Sequence, residues 1–344
     1  MDPPPGPEAP GLGANGFSNS RSAFKKCTRW SRKGLDTVGV LWPDQGGTQL
    51  MSAIQAAPSV PFARGLLLLE PTAAGSRVMA WPQYGTVKVE GRLGAAVDGT
   101  RGSHRLATRD ELRHAGGHFG QQLADALGFW PDTRVVGVGR LDLVTERDFD
   151  DPADGLQLLR AMRSLCPPRC KVRIHQTRDR VETVAVLTER AGRTLFRAYD
   201  KGVETGTEEP GRRIRFEAQV RRPKSSRQGP SATSKSDLRA AFGRTIEPFM
   251  QGAPVTVTSP SGVVDQVAEQ LAEGRMSATR AERLVGSAEL LRRYGRGIYA
   301  NDAQSARRLR DLRSAGIAVD DELPEDARVP VSELLASALE EWSA

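Results

Sequence analysis

Short runs of alternating hydrophobic and polar residues fill the middle of the chain and predict β-strands. The clearest run starts at Arg134, where Val136, Val138, Leu141 and Leu143 are available to a core. Gaps of hairpin length separate most of the runs, which indicates antiparallel pairing rather than a β-α-β repeat. The predicted strands are GLDTVGVLWP, GLLLLE, GSRVMAWPQ, GTVKVEGRL, RVVGVGRLDLVTE, KVRIHQT, ETVAVLTE, RTLFRAYDK and RRIRFEAQVRR.

Helical spacing of apolar residues predicts helices beside and after these strands. Thr108 is expected to cap one helix that runs through Leu127, with Glu111 closing a capping box, and GLQLLRAMRSLC forms another. From Ser261 onward, four polar-faced helical segments follow one another. The expected fold class is α+β: an antiparallel sheet with flanking helices, followed by a small helical C-terminal region.

Composition along the chain suggests three parts. Residues 1–28 are rich in Pro and Gly and read as a disordered leader. Residues 29–255 contain the predicted sheet, and residues 261–344 contain the four helical segments.

The overall composition fits a soluble globular protein, with 38% hydrophobic and 26% charged residues among 344. No apolar run approaches the roughly 18 to 20 residues that cross a bilayer, so we expect a cytoplasmic protein without a membrane partner. Three cysteines argue against a disulfide framework. A metal role for CPPRC is disfavoured because no second Cys/His pair lies near it in sequence.

Positive charge is concentrated in one segment. The chain carries a formal net charge of +7, and ten Lys/Arg face three acidic residues between Gly211 and Glu247. Such a segment is typical of proteins that contact a phosphate backbone, although the high arginine usage of a GC-rich genome is an alternative reading. The candidate DNA contacts are Arg221, Arg222 and Lys224 in this segment, together with Arg197 on the preceding predicted strand.

A second candidate DNA-binding element is the third C-terminal helix. Arg307, Arg308, Arg310 and Arg313 follow one another along it, and a glycine ends it. A short helix followed by a turn suits a helix-turn-helix-like module, with Arg307 and Arg308 as contacts. A solvated helix face is the alternative.

Familiar nucleotide and metal motifs are missing from the sequence. It has no Walker sequence and no dinucleotide fingerprint, so an ATP-driven enzyme is not expected. His114 and His118 are four residues apart, but alanine stands where metalloproteases place a glutamate, which favours a chance pair. With no His-apolar-His triplet, a DNA-nicking enzyme of this sequence would have to hold its metal ion with carboxylates.

Three acidic residues on predicted strands are candidates for that role. Asp142 lies between Leu141 and Leu143, so alternation points it away from them, and Glu217 is placed similarly between Phe216 and Ala218. Glu90 is a third acid on a predicted strand. Each of them alone would usually face solvent. Carboxylates on successive strands of one sheet suit Mg²⁺ or Mn²⁺, which would polarise a phosphate.

Tyr199 is the candidate nucleophile. It shares its strand region with the acids, and a nearby metal or a cation such as Lys201 or Arg197 would favour its phenolate. A tyrosyl ester conserves the phosphodiester energy, so a nicked strand can be rejoined without ATP. The alternative is an ordinary strand tyrosine that packs.

The order of these segments resembles the rolling-circle replication initiators of filamentous phages and small plasmids. VVGVGRLDLVTERDF, then TLFRAYDKGVE and RIRFEAQVRR, are similar to the R-x-D-L, Y-D-K-x-x-E and R-x-E segments of that family. The similarity covers roughly residues 30 to 250, and SAGIAVDD resembles the tail of the phage type. The Gly-Ser-x-x-Ser pattern that usually precedes the tyrosine segment is replaced by TERAGRT, a departure in the expected contacts with the substrate strand.

The resemblance implies an endonuclease that nicks and rejoins one strand at a replication origin. It makes Tyr199 the nucleophile, Asp142 and Glu217 the metal ligands, and Lys201 the group that stabilises the transferred phosphate. The implied partners are double-stranded and single-stranded origin DNA, with a host helicase as a further candidate.

Two other functions remain open from the sequence. One is a non-catalytic, sequence-specific DNA-binding regulator of a mobile element, which would use the basic segment and the helical tail. The other is a structural or partner-binding protein of an integrated element. A covalent protein–DNA product separates the enzyme from the regulator, and origin binding separates the regulator from the structural protein.

Overall fold

The fold is seen in a computed structural model of the chain. It describes residues 29–43, 49–57, 59–62, 66–69, 75–81, 86–101, 103–128, 137–165, 170–177, 180–188, 194–206, 208–221, 229–250, 255–294, 302–320, 323–325 and 327–343.

A large antiparallel sheet forms the centre of the described chain. Its ten strands are arranged in the order β2-β3-β4-β5-β1-β6-β10-β9-β8-β7. The 15-residue strand β1 pairs with β5 on one side and β6 on the other, so it joins the N-terminal strands to the later ones. The strands are β1 (Arg29–Pro43), β2 (Ser59–Phe62), β3 (Leu66–Leu69), β4 (Arg77–Trp81), β5 (Thr86–Arg92), β6 (Gly137–Asp148), β7 (Cys170–Thr177), β8 (Arg180–Thr188), β9 (Thr194–Asp200) and β10 (Arg213–Arg221).

Helices flank the sheet and fill the C-terminal part of the described chain. They are α1 (Gln49–Ala56), α2 (Leu93–Asp98), α3 (Arg109–Arg113), α4 (Ala115–Leu127), α5 (Pro152–Ser164), α6 (Lys201–Thr205), α7 (Lys235–Met250), α8 (Gly262–Ala272), α9 (Ala278–Tyr294), α10 (Asp302–Ser314) and α11 (Val331–Glu341). The predicted α+β class is confirmed. No helix within the described ranges is long and apolar enough to cross a membrane.

Alternation along the strands separates an apolar face of the sheet from a polar one. Leu143 and Phe216 are fully buried in the main hydrophobic cluster, which also holds residues of α5, α7 and α11. Phe196 of β9, for example, packs against Phe249 of α7 with ring centroids 5.4 Å apart. Asp142 and Glu217, next to Leu143 and Phe216 in sequence, therefore belong to the opposite, polar face.

The helix predicted from Thr108 to Leu127 is two helices in the structure. The capping box forms as expected, since Thr108 accepts from the Glu111 amide and Glu111 accepts from the Thr108 amide. At His114 the backbone leaves the helical geometry, with φ −98° and ψ 3°, and α4 begins at the next residue. The two glycines that follow Ala115 weaken helix formation at this point, which accounts for the break.

The C-terminal region is helical as predicted, but it also contains a small sheet that the sequence analysis missed. Its three strands are β11 (Thr256–Thr258), β12 (Ile317–Val319) and β13 (Arg328–Val329), in the order β12-β11-β13. Strands of two or three residues are too short to show alternation. This region packs on the main core through α11, where Trp342 meets Phe242 of α7 at 6.0 Å between ring centroids. The division into three parts stays a prediction.

Candidate active site

Tyr199 lies near the C-terminal end of β9 on the polar face, with ionisable side chains on the strands beside it. In the antiparallel register Tyr199 of β9 is opposite Arg215 of β10, and Arg197 is opposite Glu217. On the other side of β10, Gln219 is opposite Asp142 of β6. Period-2 alternation thus brings the predicted tyrosine and two of the predicted acids onto one face of three neighbouring strands.

The Tyr199 hydroxyl lies between the carboxylate of Glu217 and the guanidinium of Arg215. Its oxygen lies 3.3 Å from Glu217 Oε2, to which it donates, and 3.3 Å from an Arg215 guanidinium nitrogen, which donates to it. The residue is 9% exposed. Burial, followed by the Glu217 charge, raises the pKa of the phenol well above its usual value, although Arg215 opposes the rise. The resting side chain is therefore a neutral phenol with its proton directed at a carboxylate.

Arg215 is the cation at this hydroxyl, and the sequence analysis did not single it out. It is 2% exposed, its Nε donates to Glu146 Oε1 at 2.7 Å, and a terminal nitrogen lies 3.3 Å from Asp36 Oδ2. Alternation could have placed Arg215 and Glu146 on the polar face from the sequence. Arg215 is two positions before Glu217, and Glu146 is four positions after Asp142.

Asp36 reaches the same face through an irregularity that alternation cannot predict. Leu35 pairs with Leu143 and Val38 pairs with Leu141, so Asp36 and Thr37 together oppose the single residue Asp142. A bulge of two residues against one redirects the side chains of the bulged strand.

The two cations expected near Tyr199 have other partners. Lys201 is the first residue of α6, whose N-cap is Asp200, and its Nζ lies 2.5 Å from Glu204 Oε2. Arg197 pairs with Glu217, and its guanidinium carbon lies 6.0 Å from the centroid of the Tyr199 ring. Both stay close to the strand end that carries the tyrosine, but the hydroxyl contacts neither directly.

Arg140 joins the other two predicted acids. It donates from Nε to Asp142 Oδ1 at 2.8 Å, and it also pairs with Glu90, which Lys88 contacts in turn. A Cβ atom on Gly39 of β1 would lie 2.5 Å from Lys88 Cε and 3.1 Å from Arg140 Cβ, so a larger residue there would displace the Lys88 side chain.

The two carboxyl groups respond differently to this environment. Burial raises the pKa of Asp142 to about 7, with Arg140 opposing the rise and the nearby Glu217 charge adding to it. Burial also acts to raise the pKa of Glu90, but the charges of Lys88 and Arg140 outweigh it and hold that pKa below its usual value.

A divalent cation that bound Asp142 and Glu217 would have to displace guanidinium groups, because Arg140 contacts both Asp142 oxygens and Arg197 pairs with Glu217. Asp142 and Glu217 lie close enough to repel each other as anions, an unfavourable interaction that a cation between them would reverse. Glu90 is instead enclosed by Lys88 and Arg140. Within the described ranges, no group of three or more His, Cys, Asp or Glu side chains is arranged to hold a metal ion.

The predicted DNA-binding arginines fall into two places. Arg221 ends β10, exposed, with Nε 3.2 Å from Gln219 Oε1, while Arg222 and Lys224 lie outside the described residues. Arg307 and Arg308 belong to α10, which packs on α9 and β12 rather than on the large sheet. Arg307 is exposed, and Arg308 donates to Ser287 Oγ at 2.9 Å.

Comparison with known proteins gives little support of its own. No family model and no curated protein matches the chain. Among solved structures, the rolling circle replication initiator protein from Geobacillus stearothermophilus is similar with a TM-score of 0.30 and 13% sequence identity, over 55% of this chain and 74% of that one. Similarity at this level is too low to indicate a shared activity.

Proposed function

We propose that this protein nicks and rejoins one DNA strand through a covalent tyrosyl phosphate on Tyr199, at an origin of the rolling-circle type. The observation that carries the proposal is the Tyr199 hydroxyl, which lies between a carboxylate that can take its proton and a guanidinium that can stabilise the phenolate. The resemblance of the segment order to rolling-circle initiators supports the origin as the place of action.

The chemical step balances with these groups. The Tyr199 oxygen attacks the phosphorus of one phosphodiester, the bond from phosphorus to the departing strand breaks, and a tyrosyl phosphodiester forms. The phenolic proton passes to Glu217, the departing oxygen takes a proton from water, and the hydroxide that is left takes up the proton from Glu217. Because the ester conserves the bond energy, the reverse step rejoins the strand without ATP.

Two functions fall to the neighbouring residues. Arg215, held by Glu146 and Asp36, keeps its guanidinium against the phenolic oxygen and lowers the cost of charge on it. Asp142 and Glu217 are the proposed ligands of the divalent cation, Mg²⁺ or Mn²⁺. Binding it would displace Arg140 and Arg197 from these carboxylates, and the ion would neutralise charge on the phosphate oxygens.

The test is covalent capture of the strand. The protein is incubated with supercoiled plasmid carrying the origin of its own replicon and Mn²⁺, and protein–DNA adducts that survive SDS are separated on a gel. Wild type is expected to form the adduct and to relax the plasmid, and Tyr199→Phe to do neither. An adduct formed equally well by Tyr199→Phe would overturn the assignment of the nucleophile.

A non-catalytic DNA-binding regulator is the second candidate, and one observation favours it. Tyr199 is 9% exposed and its phenol pKa is raised, as for a tyrosine that only packs and bonds inside an ionic cluster. Such a protein would bind origin DNA with a salt-dependent affinity and never become attached to it. The same gel therefore separates the two functions.

A further inference from the structure

A cavity of about 360 Å³ opens on the polar face beside β4 and β5, and four arginines line it. They are Arg77, Arg92, Arg101 and Arg140, with Glu90 as the one acidic residue of the lining. We refer to it as the arginine pocket. Its size is that of a site for a small ligand or for one unit of a polymer.

Two of the four guanidinium groups are already neutralised. Arg140 pairs with Glu90 and Asp142. Arg92 lies 3.8 Å from Asp36 and 3.7 Å from Glu204. These contacts hold Arg92 and Arg140 in place at the pocket wall. The negative charge of Glu90, the acidic residue of the lining, is neutralised by Arg140.

The other two guanidinium groups stand at the rim. Arg77 and Arg101 are exposed, and within the described ranges neither forms an ion pair. Gly75, with φ +80°, leaves room for the Arg101 side chain, because a Cβ atom there would lie 3.1 Å from Arg101 Cγ and 3.6 Å from its Nε. The missing side chain at Gly75 thus leaves space for Arg101 at the pocket wall.

The pocket joins the Tyr199 site through shared side chains. Arg140 lines the pocket and binds Asp142 on the same face. Asp36 lies between Arg92 of the pocket and Arg215, whose guanidinium contacts the Tyr199 hydroxyl. These contacts lead from the pocket to the Tyr199 hydroxyl on the same face of the sheet.

We propose that the arginine pocket binds a phosphate group of the DNA strand that Tyr199 attacks. A guanidinium presents paired N–H donors that match two phosphate oxygens, and two of them at one rim suit a single anionic group. The inference rests on the proposed function, since it takes the bound strand to be the substrate. A free phosphorylated molecule has the same chemistry, and the experiment separates the two sources.

The test compares two double variants that remove the same charge. Arg77→Ala with Arg101→Ala removes the exposed arginines of the pocket. Arg239→Ala with Arg244→Ala removes two exposed arginines of α7, which are not among the predicted DNA contacts, and this helix packs on the apolar face of the sheet. Binding of a fluorescein-labelled single-stranded oligonucleotide is followed by anisotropy from low to high salt. Stabilisation of each protein by inorganic pyrophosphate is followed by its melting temperature.

The pocket variant is expected to bind the oligonucleotide about tenfold more weakly, as for the loss of one charge-assisted contact. Its slope of log K against log salt should be shallower by about 0.7, the value for one phosphate of a single strand. Pyrophosphate should raise the melting temperature of wild type and of the α7 variant, but not that of the pocket variant.

Equal oligonucleotide affinity and slope in the two variants would overturn the proposal. If pyrophosphate protection alone disappears, the pocket belongs to a small phosphorylated molecule and the strand assignment fails. If the pocket variant binds weakly but wild type never forms the SDS-stable adduct, the pocket assignment stands and the nicking function fails. The two proposals can thus fail separately.

Discussion

The ion cluster under Tyr199 makes a prediction about stability that needs no substrate. Arg215→Met removes the guanidinium that contacts Glu146 and Asp36, which are 1% and 8% exposed. Breaking a buried ion pair from one side leaves buried charge without compensation and costs about 3 to 5 kcal/mol. We expect the free energy of unfolding to fall by about that amount.

Arg213 provides a matched control on the same strand and the same face. Its guanidinium lies 2.6 Å from Asp148 and 2.8 Å from Glu208, whose side chains are 39% and 28% exposed, and its contact with the buried Glu146 is long, at 4.0 Å. Pairs that water reaches contribute only about 0 to 1 kcal/mol. Arg213→Met should therefore cost at least about 2 kcal/mol less than Arg215→Met.

The assay is urea unfolding followed by circular dichroism, with and without a compensating change. The midpoint should fall for Arg215→Met while the dependence of free energy on urea stays unchanged, since the same surface is exposed on unfolding. Adding Glu146→Met to Arg215→Met should recover part of the loss, because one buried charge is removed.

The pH dependence of this loss has a definite sign. Burial raises the Asp36 pKa, and Arg215 opposes the rise. Without Arg215 the folded-state pKa of Asp36 moves further above its unfolded value. The penalty is then present above the folded pKa and is relieved as the pH falls through it and Asp36 takes up a proton. Equal losses for Arg215→Met and Arg213→Met at neutral pH would refute the buried-pair reasoning.

Three further predictions concern the candidate site, and a fourth concerns the helix α10. Tyr199→Phe should abolish the SDS-stable adduct and leave oligonucleotide affinity within about twofold of wild type, since one oxygen is removed; normal nicking would contradict it. Asp142→Asn and Glu217→Gln should each suppress cleavage and raise the Mn²⁺ concentration at half-maximal rate; normal cleavage at limiting metal would mark either residue as a surface acid. In EDTA, Asp142 is protonated in the folded state below its pKa of about 7. The free energy of unfolding should therefore decline as the pH rises toward 7, by at most about 1.4 kcal/mol per pH unit. Asp142→Asn should lack that decline. Arg307→Ala with Arg310→Ala should reduce the preference for origin over random DNA in competition assays; an unchanged preference would place recognition on the sheet.

The C-terminal arginines are best tested by substitution rather than by removing the helical tail. Trp30 of β1 donates to Ser337 of α11 at 2.8 Å, and Val329 and Leu335 are fully buried in the same cluster as the sheet core. Truncation from Ser261 would strip this part of the core, so a loss of binding could not be separated from a loss of folding.

Most of the large sheet was predictable because alternation is a local property of the sequence. The runs around Leu141 and Phe216 show which residues enter the core, and that places Asp142 and Glu217 on the other face without knowledge of the neighbouring strands. Alternation does not predict the helix break at His114, which depends on the glycines that follow it. The two- and three-residue strands are too short to show alternation at all.

What alternation cannot give is the register between strands, and the candidate site depends on it. Arg215 contacts Tyr199 because β10 and β9 pair them directly, and Asp36 reaches Arg215 because of the bulge opposite Asp142. A shift of one residue in either pairing would put each of these side chains on the apolar face. β10 lies between β6 and β9, so its polar residues contact acids on one side and the tyrosine on the other. We therefore expect the buried Arg215–Glu146 pair to fix the register of β10 in addition to supporting the hydroxyl. A strand shifted by one residue would leave both charges without a partner.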